Sequence, residues 1–285
     1  MADKSRFSKF EGKPLIKLLE IIPTAGFLDG NFGKDVLKEY QGRVKRDYAK
    51  APVLNVLDYE DGVVKGSNPF AVVLVGSIVG QDGLRVATQA DLERAIKCDA
   101  LPLRGQYEDT GLVLRSEGEP NSYLARHLMQ QIRARNSKAE MPSVIPLSGL
   151  ELVTDQNSPH GLAFKLKDNA AITYGASVLS KDGAFTSEDV DETIGLPTKI
   201  GQGDRNLYTR NSGLSRLYLC RSLDLDSRYD NLALSNGLGR VVVVSAEGTS
   251  QKIAGYLAQL EAERAEQKAE IDRRFAKASN LLLGK

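Results

Sequence analysis

Four consecutive valines, Val241–Val244, stand between Arg240 and Ser245 and lead through Ala246–Ser250 into the helix-forming stretch that closes the chain. A β-branched run this short and this apolar reads as a buried strand. The stretch after it constrains the fold further. A helix from Ser250 to about Leu283 would extend roughly 50 Å at 1.5 Å per residue, about three times the mean globular length. A helix of that reach packs along another long element, in its own chain or in a second one. Ile253, Leu257, Leu260, Ile271, Phe275 and Leu282 share a broad apolar stripe, and opposite charges at three- and four-residue spacing fill residues 261–270. Alanines hold the middle, where a coiled coil needs larger apolar residues at every a and d position. The pattern predicts a projecting helix over 249–285, with its first turns on the body and its distal residues on another surface.

The chain of 285 residues is long enough for one large or two small domains with a substantial core. Its 41% hydrophobic content and formal net charge of +1 place it among globular chains and remove any global electrostatic case for nucleic acid. Met1–Phe7 is polar and lacks the apolar core of a secretory signal. The longest apolar stretch, Pro69–Val79, falls well short of the ~20 residues that span a bilayer. A cytoplasmic protein without a membrane span is expected. His127, His160, Cys98 and Cys220 are too few and too scattered for a local zinc cluster, and two free thiols are expected in place of a disulfide. No motif calls for a cofactor.

Read along the chain, the residues predict an α/β fold: a helical N-terminal arm over 1–50, a mixed-sheet body over 51–248 with a β-rich second half, and the long C-terminal helix. Pro14 suits the first turn of a helix running to Ile22, and Leu37, Tyr40, Val44 and Tyr48 mark one face of a helix over 34–48. Asp61-Gly62 suggests a hairpin within a linker. Asn68-Pro69 is a good helix start ahead of an apolar run over 70–79, which is read as a helix although its β-branched content favours a buried strand. Thr88 and Asp91 form a capping-box pair opening a helix that ends near Cys98. Thr110–Arg115, the amphipathic stretch Ser122–Arg135 and Val144–Leu147 read as strand, helix and strand, spaced for a parallel crossover, with Pro146 placing the last strand at an edge. Short β-prone runs follow at 150–153, 162–166, 171–174, 207–210 and 214–225, whereas polar residues 181–206 read as an exposed loop.

Three constellations bear on chemistry. Gly248, Thr249 and Ser250 sit between a strand and a helix, where unpaired amides can hold an anion, although a Walker pattern is absent and helix capping accounts for the same residues. Asp224, Asp226 and Asp230 could offer carboxylates to Mg²⁺ or Ca²⁺, but Tyr229 and Ser235 occupy the positions where a calcium loop needs Gly and Glu. Arg126, Arg133 and Arg135 lie in a stretch free of acidic residues and, with Lys38, Arg43 and Arg46, make a local basic surface that could meet nucleic-acid phosphates. His127 and His160 lack a nucleophile partner nearby in sequence. The reading that accounts for most residues is a non-enzymatic structural or assembly protein that forms a homo-oligomer or joins a larger protein assembly. Nucleic-acid binding and a phosphate- or Mg²⁺-dependent enzyme are the alternatives.

Overall fold

The computed structural model describes residues 13–14, 24–245, 268–269, 271 and 273. The chain divides into two compact units, 1–245 and 246–285. In the second unit Lys268, Ala269, Ile271 and Arg273 are helical, and Ile271 is exposed. The remainder of the helix expected over 249–285 lies outside the described residues, as do Gly248, Thr249, Ser250, Ile253, Leu257, Leu260, Phe275 and Leu282.

The first unit is a mixed α+β structure with several sheets and, among the described residues, four α-helices. Strands β1 (Lys13–Pro14) and β2 (Thr24–Phe27) precede helix α1 (Gly30–Asp47). Pro14 pairs with Thr24 in an antiparallel strand, so it does not open a helix. Phe32, Val36, Leu37, Tyr40 and Val44 bury one face of α1 in the same core as the helices that follow. Strands β3 (Asp58–Glu60) and β4 (Val63–Lys65) form the hairpin signalled by Asp61-Gly62, both of which adopt the positive φ that a type I′ turn requires.

Helix α2 (Pro69–Val79) settles the ambiguity of its apolar run. The Asn68 side chain accepts from the Ala71 amide at 2.8 Å, and Pro69 needs no donor partner in the first turn. Apolar on every side, α2 lies inside the core, where Phe70 stacks on Phe164 at 4.7 Å. After β5 (Leu84–Val86), the capping box forms as read: Thr88 and Asp91 cap helix α3 (Gln89–Lys97) reciprocally.

Strand β6 (Tyr107–Leu114), helix α4 (Ser122–Arg135) and strand β7 (Ser143–Pro146) match the expected elements. The expected connection is wrong. β7 runs antiparallel to β6, with Gly111 opposite Pro146 and Leu114 opposite Ser143, so the unit is no parallel crossover. Two consecutive apolar segments do not fix strand direction; that depends on where the intervening helix packs. Here α4 packs on strand β9 (Leu162–Leu166), itself paired with β8 (Leu150–Thr154). Residues 171–174 contribute a single bridge, Thr173 to Val144.

The polar stretch 181–206 is not merely a loop: strand β10 (Gly183–Phe185) lies within it, and Phe185, Val190 and Leu196 are buried. Strand β11 (Arg205–Tyr208) follows. The long strand expected over 214–225 divides into β12 (Leu214–Leu219) and β13 (Leu225–Asp226), because Leu223 turns the chain at φ 72°. The largest sheet has the order β10-β11-β13-β12-β6-β14, with β14 being Gly239–Arg240 and β7 paired along the other half of β6. The valine run becomes β15 (Val242–Ser245) and joins a separate sheet, between β2 and β5. One core, centred on α2, takes Leu112, Leu114 and Leu214; the other, around α3 and Phe185, takes Val113, Leu217 and Leu219.

Candidate binding site

Where β6 meets β12, Leu217 pairs with Gly111 while the next residue, Tyr218, pairs with Asp109. Thr110 is thus an extra residue on β6, a β-bulge of the kind that re-aims side chains. Its hydroxyl is within hydrogen-bond distance of the Leu217 carbonyl at 3.2 Å and of Gln89 Oε1 at 3.0 Å. The bulge places Asp109 on the face that carries Arg216 and Tyr218 of β12. Asp109 accepts from Arg216 Nε at 2.6 Å and from Nη2, and it also accepts from the Ser67 hydroxyl at 2.6 Å. Both charged side chains are almost wholly buried, 4% and 0% exposed. Burial opposes the charge on Arg216, but the Asp109 carboxylate outweighs it and raises the guanidinium pKa.

Above this ion pair, three tyrosines meet edge to face. Tyr107 and Tyr218 have ring centroids 6.0 Å apart, Tyr218 and Tyr229 6.5 Å. The Arg216 guanidinium lies 5.5 Å from the Tyr107 ring centre and 5.4 Å from that of Tyr218. Together with Leu234 and Asn236 they line an open cavity of about 220 Å³. Burial, and then the neighbouring Asp226 carboxylate, push the Tyr218 hydroxyl pKa up, so it stays protonated.

One wall comes from the segment between β13 and β14, which has no regular structure but is tied down along its length. Asn68 Nδ2 donates to the Ala233 carbonyl at 3.2 Å, Arg216 Nη1 to the Leu234 carbonyl at 2.9 Å, and the Ser67 amide to Ser235 Oγ at 2.8 Å. The Asn236 amide donates to the Tyr107 hydroxyl at 3.0 Å, and Tyr107 in turn donates to the Ser67 carbonyl at 3.1 Å. Leu232 anchors the segment in the core at 1% exposure. Tyr229, Leu234 and Leu238, between 42% and 44% exposed, are the large hydrophobics left at the surface of the first unit's described residues. Apolar side chains on a segment tied down in this way form an ordered, exposed apolar patch.

The residues singled out from sequence do not gather in this way. Asp224 accepts from the Asn206 amide and Ser222, Asp226 from Arg228, and Asp230 pairs with Arg210. Among the described residues no group of three or more His, Cys, Asp or Glu side chains is placed to hold a metal ion. Arg43 pairs with Glu39, Arg46 with Asp47 and Arg133 with Glu117, while Arg135 donates to the Leu166 carbonyl. Lys38 is exposed on α1. Arg46 and Lys50 do share a groove of about 770 Å³ with Asp155, which accepts from Tyr123 of α4 at 2.5 Å, and Arg126 lies near enough to act on that tyrosine. Asp47 and Asp155 balance the basic residues along this groove. His127 meets Gln131, His160 packs edge-on to Phe70, and Cys98 and Cys220 are not joined in a disulfide.

Sequence reading missed the tyrosine cavity because its lining comes from three separated segments. A signal was present nonetheless. Arg216 is a charge within the mostly apolar, β-prone run Leu214–Leu219, and a buried charge of that kind persists when paired. Comparison with protein-family models, with curated proteins and with solved structures finds no match. No helix among the described residues is long and apolar enough to cross a membrane.

Proposed function

We propose that this chain is an assembly protein that works by contact with another protein, and that the tyrosine-lined cavity and the segment beside it are its docking surface. The observation that carries this reading is the ordered display of Tyr229, Leu234 and Leu238 beside Arg216 and two further tyrosines. Tyrosine and arginine dominate the centres of protein interfaces, where they add contact area at small entropic cost. The cavity is also smaller than the roughly 300–1,000 Å³ of sites that enclose a drug-sized ligand. It suits one inserted side chain or short segment. Self-association through the stripe from Ile253 to Leu282 belongs to the same reading and rests on sequence pattern, with Ile271 exposed in support. The nucleic-acid alternative has weaker support, because four of its six basic residues already engage intrachain partners.

The test is site-specific photocrosslinking in cells. A photoreactive phenylalanine analogue replaces Leu234, with the same analogue at exposed Lys138 as control. Protein adducts several-fold more abundant at 234 are expected. An adduct of twice the chain mass, formed also by the purified chain at micromolar concentration, identifies the partner as a second copy. Protein adducts no more abundant than at 138, or adducts to nucleic acid alone, would refute the reading.

A further inference from the structure

The hydrogen-bonding groups around the tyrosine cavity are unevenly spent. Its acceptors are engaged: the Leu234 carbonyl by Arg216, Asn236 Oδ1 by the Leu238 amide at 2.9 Å, and the Tyr107 hydroxyl by the Asn236 amide. The bond from Leu238 also fixes which way the Asn236 amide points, so Nδ2 is the free end, and it has no partner among the described residues. Arg216 has five N–H groups, of which three are used, leaving one on each terminal nitrogen. The cavity therefore offers more donors than free acceptors, the Tyr218 hydroxyl beside Asp226 and the exposed Tyr229 hydroxyl being able to accept.

Charge narrows the ligand further. Arg216 is the charged residue lining the cavity, and Asp109 neutralises it from below. An anion gains little from a neutral pair, and a cation meets tyrosine faces that the guanidinium already occupies. What remains is a neutral, acceptor-rich ligand with apolar surface for the rings. A proline-bearing extended segment has that chemistry: its backbone carbonyls are unpaired, its prolines carry no N–H, and its rings pack on aromatic side chains.

Resting on the protein-docking reading above, we infer that the cavity formed by Tyr107, Arg216, Tyr218, Tyr229, Leu234 and Asn236 binds a proline-containing segment of a partner protein in the polyproline II conformation. The Asn236 amide and Arg216 donate to its carbonyls, and the exposed Tyr229 ring takes its proline.

The full ¹⁵N-labelled chain is titrated with a decaproline peptide and, separately, with a (Gly-Ser)₅ peptide and a dT₁₅ oligonucleotide. Expected are saturable shifts of the Asn236 side-chain amide and of the Asn236 and Leu238 backbone amides with decaproline, and an affinity, read from those backbone amides, that falls at least tenfold in Tyr229→Ala and in Asn236→Asp. The second variant keeps an acceptor for Leu238 while removing both side-chain donors, and because both positions are exposed, unchanged melting temperatures are expected. Absence of saturation, equal binding of the Gly-Ser peptide, preference for the oligonucleotide, or an unaffected Asn236→Asp variant would each overturn the inference. Crosslinking at Leu234 without decaproline binding would sink the inference and leave the docking reading standing; loss of both would sink both.

Discussion

Replacing Asp109 by Asn tests how much the buried ion pair beneath the proposed docking surface stabilises the fold. The substitution is nearly isosteric, but it removes the charge facing Arg216 and offers an amide N–H₂ where the structure needs an acceptor for Arg216 or Ser67. With the partners 4% and 0% exposed, solvent screens almost nothing. Breaking such a pair costs about 3–5 kcal/mol, since a buried charge is left uncompensated. In urea, with a slope of about 2–3 kcal/mol/M for a chain of this size, the midpoint should fall by roughly 1–2.5 M. The exposed pair Arg46–Asp47 is the control, and Asp47→Asn should cost less than about 1 kcal/mol. Replacing both members, Asp109→Leu with Arg216→Met, should recover at least half the loss, because an apolar pair has no charge to desolvate. Equilibrium denaturation followed by circular dichroism reads all four proteins. An Asp109→Asn cost within 1 kcal/mol of the Asp47→Asn control would refute the assignment of Asp109–Arg216 as a desolvated pair.

Glu108 stands beside Asp109 on β6, is 2% exposed, and its Oε1 has no hydrogen-bond partner among the described residues. Burial, and then repulsion from Asp109, hold its carboxyl pKa well above the ordinary value, against the smaller opposing effects of Arg240 and the Val242 amide. The folded chain thus keeps a proton that the unfolded chain releases, so this stability is full below the unfolded pKa and is lost as pH rises toward the folded one. Glu108→Gln keeps the neutral shape, and its melting temperature relative to the parent should climb between pH 5 and pH 9; a pH-independent difference would refute this. At Gly195, φ is +73° and a β-carbon would lie 2.4 Å from the Ala90 amide nitrogen at the start of α3. Gly195→Ala should destabilise by about 2 kcal/mol or more through strain and clash. Unchanged thermal stability would show that the segment carrying Gly195 is not held against α3.

Much of the local structure was legible in the sequence because it is decided within a few residues. Thr88 caps the helix that Asp91 completes, Asn68-Pro69 starts α2, and Asp61-Gly62 turns the hairpin, each through bonds or dihedrals spanning a handful of positions. The alternation of Leu217 and Leu219 with Tyr218 also held, and it sorts these side chains between the second core and the cavity. The candidate site was scarcely legible. Tyr229, Leu234 and Leu238 lie in a segment with no periodicity, and a position's exposure becomes known only once the core is packed.

The sequence by itself determined helices α1, α3 and α4, the start of α2, the Asp61-Gly62 hairpin and strands β6 to β9, since capping groups, turn residues and apolar spacing act locally. Tertiary structure decided the antiparallel return of β7, the break between β12 and β13, and the placing of Val242–Ser245 in a sheet apart from β6. It also decided the bulge at Thr110, which brings Asp109 to Arg216 across 107 residues of chain. Strand direction and register are chosen by which pairing buries both apolar faces while leaving no charge alone, and that balance exists only when distant segments meet.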